Sequence, residues 1–419
     1  MLAHNDAAVW GECQGSGKDP YRVECDLSEP AFKCTCPSRK FPCKHGIGLL
    51  LIFAQKPESF KTTEPPAWVA EWLEKRSATA EKKIAKAEAA EAPSDPETEA
   101  KRAAARDKRI AGREDNVRAG AAELELWLRD IVRQGLGAVK QQPVSYWENT
   151  ARRMVDAQAP GLARRVRECG STASSGDGWA PRLLAQMGSL FLLTQAVTRL
   201  ESLPAALAED VRAALGFTTR EEDVLAGPVV RDAWQVQGEV IEEEEKLRVR
   251  RVWLRGRETG RVALLLSFAV GGRAFDLSAA LGTEFVGELS FFPSGAPLRA
   301  VLKKREANHE IRSALGFPSV AAGLNAAAEA LALNPWLEQF PFSLSAALPV
   351  YEGGRWWAAD SAGERLPLPN RFAKGWELMA FSGGIPVTIF GERDGRELSP
   401  LSSFAGDARF LNLRPAITT

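Results

Sequence analysis

Three cysteines and one histidine lie within twelve consecutive residues near the start of the chain. They form the pattern Cys34-x-Cys36, a six-residue spacer, and then Cys43-x-His45. The whole chain of 419 residues has six cysteines and three histidines, so four of these nine side chains crowd into one loop. Three thiolates and one imidazole are a ligand set of closed tetrahedral zinc sites. The spacing therefore predicts one metal site, which constrains the local fold.

The spacing within each pair explains how the ligands converge. Side chains alternate along an extended segment, so Cys-x-Cys and Cys-x-His each place two ligands on the same side. Pro37 and Pro42 stiffen the spacer that turns the chain back, which lowers the entropy lost when metal binds. Four strong ligands fill the coordination shell, and no Asp or Glu occurs between residues 31 and 45. Both features favour a structural Zn²⁺ site over a catalytic one.

The residues around the motif predict a small folded unit. Ala7–Gln14 and Tyr21–Leu27 have the character of two strands, and the Gly-rich turn between them predicts a hairpin. Gly46–Gln55 predicts a short helix that ends before Pro57. Because this helix is apolar on nearly all sides, we expect the hairpin to cover one side. Three residues of the following segment are expected to cover another: Trp68, Trp72 and Leu73.

The motif and its flanking residues resemble the bacterial SWIM-type zinc finger family. The resemblance rests on the CxC-x₆-CxH pattern after a hairpin and before an apolar helix, and it covers residues 1–60 closely. It implies that Cys34, Cys36, Cys43 and His45 bind zinc, and that the protein interacts with DNA or protein without a known catalytic activity. Similar bacterial members are often encoded beside MoxR-type AAA+ ATPases and von Willebrand A (VWA) domain proteins. The resemblance therefore implies these two classes as partners.

Composition changes along the chain predict an α+β protein in four parts. Residues 1–60 form the zinc-stapled ββα unit, and residues 61–115 form a helix and a charged, Ala-rich linker. Residues 116–225 carry helical periodicity and predict a bundle of four or five helices. Residues 226–419 predict a β-rich region with mostly antiparallel strands. For the linker, a solvated helix or disordered tether is favoured over a partner-binding coiled coil. The coiled coil stays open as the alternative because apolar residues recur every seven positions across the linker and the bundle: Ile110, Val117, Leu124 and Ile131.

Within the β-rich region, local patterns predict six strands and one helix. The helix is Val320–Leu333, which is rich in Ala and Leu. Gly353-Gly354, Ser361-Ala-Gly363 and Asp394-Gly395 predict three hairpin turns. For the adjacent Trp356 and Trp357, alternation predicts opposite faces, with a second packed layer favoured over an interaction surface. The predicted strands are Trp234–Val240, Leu247–Leu254, Val262–Ala269, Leu298–Leu302, Trp376–Phe381 and Val387–Phe390.

Charge and motifs limit the classes of function. Lys plus Arg equals Asp plus Glu at 54 each, so the net charge gives no argument for nucleic acid or for a membrane surface. The N-terminus has no signal-peptide pattern and no apolar run is long enough to span a bilayer, so we expect a cytoplasmic protein. Phosphate-binding loops and His-based triads are missing from the sequence, so we expect no enzyme. Cys13 and Cys25 are expected to be small packed side chains, and Cys169 an ordinary thiol.

Two functions remain open at this point. The first is a zinc-binding scaffold that binds protein partners. The second is nucleic-acid binding through the basic rim of the motif, which consists of Lys33, Arg39, Lys40 and Lys44. The competing explanation for these four residues is compensation of the negative charge on a Zn²⁺ centre with three thiolates.

Overall fold

The computed structural model describes residues 2–14, 19–27, 31–38, 43–74, 76, 96–244, 247–270, 275, 279–406 and 409–414. Two compact units divide the chain between them. Unit 1 spans residues 1–103 together with 245–248 and 269–276, and unit 2 holds the remainder. The predicted α+β class is confirmed, with an N-terminal sheet, a helical bundle and a β-rich C-terminal region.

Unit 1 is built on a five-stranded sheet in the order β4-β3-β2-β1-β5. The strands pair antiparallel, except that β1 and β5 run parallel. Two helices follow: α1 (Lys44–Gln55) and α2, which covers residues 67–74. The predicted hairpin corresponds to β2–β3, and the predicted helix to α1. The strands are β1 (Leu2–His4), β2 (Ala8–Cys13), β3 (Tyr21–Asp26), β4 (Ala31–Cys34) and β5 (Lys61–Thr62).

The two helices pack on opposite faces of this sheet. Alternation along β2 sends Val9 toward α1 and its neighbour Trp10 toward α2. The first face packs against Leu49 of α1, and the second packs against Trp68 and the rest of α2. The expectation that Trp68, Trp72 and Leu73 cover α1 is therefore wrong, because the sheet has a second apolar face that α2 must cover.

Unit 2 begins with the helical bundle. Its helices are α3 (Pro96–Gln134), α4 (Leu136–Val139), α5 (Val144–Asp156), α6 (Pro160–Ala173), α7 (Trp179–Thr198), α8 (Ala205–Leu215) and α9 (Glu221–Leu225). Val117, Leu124 and Ile131 are at most 1% exposed inside the bundle core. Three residues of the heptad-like recurrence thus form the inner face of α3 and are not available for a coiled coil with a partner. The predicted linker ends within α3, which starts at a proline, a residue favoured at the first helical position.

A closed five-stranded barrel follows the bundle. Its strands are β6 (Val229–Glu244), β7 (Leu247–Gly256), β8 (Val262–Val270), β9 (Thr283–Phe291) and β10 (Arg299–Glu310), in the order β10-β8-β7-β6-β9. β8 and β10 run parallel, while β9 pairs antiparallel with both β10 and β6. Counted within the barrel, the order is 1-2-3-5-4-1 with strands 3 and 5 parallel. This is the topology of the oligonucleotide/oligosaccharide-binding (OB) barrel.

A six-stranded sheet completes unit 2, in the order β13-β12-β11-β14-β15-β16. Helix α10 (Val320–Leu333) has the predicted bounds, and α11 (Gly375–Ser382) precedes β14. Each of the three predicted turns contains glycine with a positive φ: Gly353 and Gly354 in the first, Gly363 in the second and Gly395 in the third. The strands are β11 (Phe340–Glu352), β12 (Arg355–Ala359), β13 (Arg365–Pro367), β14 (Val387–Arg393), β15 (Leu398–Phe404) and β16 (Phe410–Asn412).

The predicted strand Trp376–Phe381 is wrong, because these residues form α11. Helix-favouring Glu, Leu, Met and Ala lie between a glycine at the start and Gly383, which caps the helix in the left-handed region at φ 58°. The residue Trp376 is 65% exposed, and its ring contacts the buried ring of Trp356 at 4.9 Å between centroids. Trp357 lies on the other face of β12, as alternation predicts.

The C-terminal sheet packs against the outer side of the barrel around Trp253 of β7. This residue points out of the barrel, is 1% exposed, and packs with Phe390 of β14 and Leu401 of β15. Its indole N–H donates to a carboxylate oxygen of Glu392 at 2.7 Å. Strands 2 and 3 are the surface on which OB barrels bind oligonucleotides. In this protein the part of that surface around Trp253 belongs to an internal core, whereas Phe268 and Val270 of β8 are 53% and 61% exposed.

The helices of the described ranges were compared with the length and apolar character needed to cross a bilayer. No helix in these ranges has both.

Candidate metal centre

The end of β4 and the start of α1, both in unit 1, position the four predicted ligands. Cys34 is the last residue of β4, opposite Val23 of β3, and lies on the sheet face that α1 covers. Cys36 follows two residues later. Cys43 is the N-cap residue of α1, and His45 lies in its first turn. A strand end and a helix start therefore meet at one point, as the hairpin–loop–helix order predicts.

The geometry of the four side chains fits a tetrahedral metal site. One potential ligand atom from each residue lies within 4.8 Å of the other three. His45 Nδ1 is 3.8 Å from Cys34 Sγ and 4.0 Å from Cys43 Sγ. Bond lengths of about 2.3 Å for Zn–S and about 2.0 Å for Zn–N imply tetrahedral ligand–ligand separations of roughly 3.5–3.8 Å. The two distances to His45 lie at or just above that range, and the limit of 4.8 Å for the whole cluster lies about 1 Å above it, so side-chain movements of about that size would let the cluster hold one ion.

Hydrogen bonding and burial affect the thiols differently. Burial raises the pKa of Cys34 to about 12; the backbone N–H of Cys36 lowers it, whereas hydrogen bonds with the thiols of Cys36 and Cys43 raise it. Burial also raises the pKa of Cys43, but the backbone N–H of Gly46, donating at 3.5 Å, and the thiols of Cys34 and Cys36 bring the net pKa below its ordinary value. Hydrogen bonding thus favours the thiolate of Cys43 over that of Cys34. The helix N-terminus, which favours negative charge, is the physical setting for this.

Aromatic rings enclose the cluster. The ring of Tyr21 lies 5.3 Å from the imidazole of His45, measured between centroids. A Cβ atom at Gly46 would be 3.0 Å from Cδ1 of Phe32, so the glycine lets α1 approach β4 closely. Four protein ligands satisfy the tetrahedral preference of zinc and leave no position for a substrate. The arrangement can hold strand and helix together, which is the chemistry of a structural metal site.

The four basic residues predicted as a contact surface have separate positions. Lys33 lies on the α2 face of the sheet, where its amine contacts Glu24 at 2.7 Å and lies 5.9 Å from the ring centre of Trp72. Lys44 is exposed in the first turn of α1. Arg39 and Lys40 lie outside the described residues. The described part of the chain therefore brings only Lys44 to the side of the metal cluster.

Glu24 is the main residue of this region that the sequence analysis missed. Its side chain is 2% exposed, and burial raises its pKa although Lys33 lowers it. The available signal was the alternation of charged and apolar residues in β3, where Arg22 and Glu24 share the face opposite Val23 and Cys25.

The other cysteines stay away from the cluster. Cys25 is 1% exposed in the core beneath α1, and burial raises its pKa to about 11. Cys13 is partly buried against the same core. Cys169 is 1% exposed inside the helical bundle, where burial raises its pKa to about 12. All three environments fit small packed side chains, and the raised pKa values of Cys25 and Cys169 disfavour their reactive thiolate forms.

Comparison with known families agrees with this geometry. Residues 21–53 match the model of the SWIM zinc finger, and residues 112–215 match that of the SWIM-associated four-helix bundle domain. The chain carries a SWIM zinc finger. Its matched segment contains β3, β4, all four ligands and most of α1, and the second match covers the bundle from α3 to α8. No curated protein and no solved structure matches the chain. The SWIM zinc finger therefore supports zinc binding and interaction with protein or nucleic acid.

Proposed function

We propose that this protein is a scaffold whose zinc-stapled unit binds a protein partner through helix α1. The observation that carries the proposal is an uncovered apolar face on α1. Ile47 is 44% exposed, Leu51 is 54% exposed and Ile52 is 45% exposed, although the opposite side of the helix is buried against the sheet. Contiguous exposed apolar residues on a soluble surface are typical of a protein–protein contact.

The chemistry around this face indicates the kind of partner. Ile47 and Leu51 are four residues apart and therefore lie on one side of the helix, and Ile52 widens this apolar surface around the helix. Exposed Lys44 and Lys56 lie at the two ends of α1. We therefore propose a partner segment with an apolar centre and acidic flanks. The resemblance to bacterial SWIM proteins supports a MoxR-type AAA+ ATPase or its VWA-domain protein as the source of that segment.

A single Zn²⁺ at Cys34, Cys36, Cys43 and His45 has a positioning role in this proposal. It holds the start of α1 against β4 and so presents the face in one orientation. A role in binding rather than catalysis agrees with the four protein ligands, and we propose that the protein is not an enzyme and works in the cytoplasm. Metal analysis of protein purified without chelators should give one zinc per chain.

Substitution of the most exposed of the three residues tests the docking surface. Leu51→Glu should weaken binding to the MoxR-type ATPase or VWA protein of the same host by about thirty-fold, the loss expected for a central contact residue. Leu126→Glu is the matched control, because Leu126 is 66% exposed on α3 of the other unit. Equal affinities for both variants, or no binding of either partner to the unmodified chain at micromolar concentration, would contradict the proposal.

Nucleic-acid binding through the basic rim is the alternative function. Its support is the exposed amine of Lys44 beside the metal cluster, together with Arg39 and Lys40 in the adjoining sequence. Lys33 contributes less, because it already pairs with Glu24. This function requires an affinity that falls steeply with salt and a smaller salt slope for the double variant Arg39→Ala, Lys40→Ala. The absence of a mobility shift at low salt would exclude it.

A further inference from the structure

A cavity of about 340 Å³ lies inside unit 2, where the bundle, the barrel and the segment before β11 meet. Helices α6 and α8 form one wall. The loop between β9 and β10, residues 292–298, forms a second wall together with Trp253 and Leu264 on the outside of β7 and β8. Residues 334–339 form the third. Counted within the barrel, the second wall consists of strands 2 and 3 and the loop between strands 4 and 5, where OB barrels hold their ligands.

The buried carboxylate of Asp210 joins the three walls. Its oxygens accept hydrogen bonds from the backbone N–H of Gly295 at 2.8 Å and from the amide of Asn334 at 2.9 Å. A Cβ atom at Gly295 would lie 2.5 Å from the carbonyl oxygen of Leu333, so this close approach requires glycine. On the other side, Arg164 and Arg165 of α6 both contact Glu338. The cavity is therefore held by α6, α8 and the barrel loop before any ligand arrives, which lowers the entropic cost of binding.

The lining offers planar apolar surface. Phe217, Phe292 and Trp336 are partly exposed residues of the wall, and the indole N–H of Trp336 already donates to the carbonyl of Ser189 at 3.3 Å. Aromatic side chains of this kind bind flat heterocycles by stacking, and the interaction tolerates different bases because every base has a π-face.

Two polar groups of the lining are available to a ligand. The guanidinium of Arg299 lies 4.1 Å from the ring centre of Phe292 and forms no direct ion pair with a described residue, although the carboxylate of Glu221 interacts with it electrostatically. The carboxamide of Gln339 has no hydrogen-bond partner within the described ranges. A guanidinium on an aromatic face without a direct ion pair suits a phosphate or carboxylate group, and a free amide can pair with the edge of a nucleobase.

We propose that this cavity binds one nucleoside monophosphate, with the base against the aromatic wall and the phosphate at Arg299. Its volume is at the small end of the range of about 300–1,000 Å³ for ligand pockets, which suits one nucleotide. A polynucleotide is much larger than this volume, and β14 and β15 pack on the outer side of β7 at Trp253, so we expect a single nucleotide to enter. Arg165 adds a second positive group to the wall: its side chain is 13% exposed and contacts Glu338 at 2.8 Å, and its buried Nε has no hydrogen-bond partner among the described residues.

Calorimetric titration of the full-length protein tests the proposal. The probes are AMP, GMP, CMP and UMP, with inorganic phosphate and a fifteen-residue oligothymidylate titrated separately. At least one mononucleotide should bind with a Kd on the order of 10 μM to 1 mM. Arg299→Gln should weaken that binding about ten- to hundred-fold, the loss expected for one charge-assisted hydrogen bond. Ala213→Leu places a larger side chain in the cavity from an exposed helical position and should abolish binding.

Arg305→Gln is the matched control, because Arg305 lies on the same strand, stacks on Phe285 at 4.8 Å, and is not part of the cavity wall. It should leave the affinity within about two-fold of the unmodified protein. The proposal is overturned if no mononucleotide binds up to about 5 mM. It is equally overturned if phosphate alone binds as tightly as every mononucleotide, if the oligothymidylate binds more tightly than any of them, or if Arg299→Gln and Arg305→Gln have equal affinities.

Discussion

Replacing one zinc ligand should unfold the N-terminal unit and leave the bundle and the β-rich region folded. The variant is Cys36→Ser, which removes one thiolate from a shell of four with a change of a single atom. Cys13→Ser is the matched control, since Cys13 is a half-exposed cysteine of the same unit outside the ligand cluster. We expect Cys36→Ser to lose zinc and Cys13→Ser to retain it.

The expected magnitude follows from the small cores of this unit. Within the described ranges, five buried residues form the cluster between α1 and the sheet and four form the cluster between α2 and the sheet, so the apolar contribution is limited. Structural zinc sites have apparent binding free energies of about 10–16 kcal/mol at neutral pH. That range equals or exceeds the roughly 5–15 kcal/mol of total stability of a typical domain. The metal is thus expected to decide whether the unit folds.

Hydrogen exchange read by mass spectrometry is the assay. In Cys36→Ser the amides of β2 and β3 should exchange at the rate of an unfolded chain, while the amides of α5, α6 and β11 keep their protection. Unit 2 keeps its own cores, with 25 buried residues in the bundle alone. Protected amides in β2 and β3 of a zinc-free Cys36→Ser protein would refute the reasoning, as would loss of zinc from Cys13→Ser.

Two further predictions concern unit 2. Gly323→Ala on α10 should destabilise the protein although alanine is the better helix former by about 1 kcal/mol, because its Cβ would lie 2.2 Å from Cζ of Phe342. Gly188→Ala on α7 has no heavy atom within 4 Å of the added Cβ and should be stabilising by about that amount; thermal denaturation distinguishes the two. Asp232→Asn should lower the free energy of unfolding by roughly 1.5–3 kcal/mol at pH 7, because it weakens hydrogen bonds to a charged carboxylate. Burial raises the pKa of Asp232, but four hydrogen bonds, the first from the Thr259 hydroxyl, bring the net pKa below its ordinary value. This stabilisation is present above the unfolded pKa and is lost as the pH falls through the lower folded pKa, so urea titrations below about pH 4 should show the difference shrinking.

The sequence predicted those parts of the fold that depend on neighbouring residues. The metal cluster, the β2–β3 hairpin and α1 follow from ligand spacing, turn residues and a local apolar run. Helix α10 was predicted with its observed bounds because Ser319 caps it and Ala and Leu fill it. In each case the decisive contacts lie within a few dozen residues of one another.

Other features depend on pairing between distant residues, which periodicity does not encode. Closure of the barrel requires β6 to pair with β9 across more than forty residues, and the parallel contact of β8 with β10 is set by that closure. The strand error at Trp376–Phe381 has a different cause, because eight residues are too few to separate helical from strand periodicity. The uncovered face of α1 was missed because the sheet in unit 1 has two apolar faces and each receives one helix.

Strand alternation at β4 makes the metal centre a check on register. Cys34 and Lys33 point to opposite faces of the sheet, the first to the ion and the second to Glu24. A shift of β4 by one residue in one direction would place the thiol of Cys34 against the buried carboxylate and Thr35 in the ligand cluster. A shift in the other direction would place the amine of Lys33 in the ligand cluster. Either shift removes one thiolate from the cluster, so we expect weaker metal binding. Insertions or deletions of one residue between β3 and Cys34 should therefore be far less tolerated than changes of two. In a newly made chain, zinc binding would stabilise the correct register of β4 over a register shifted by one residue.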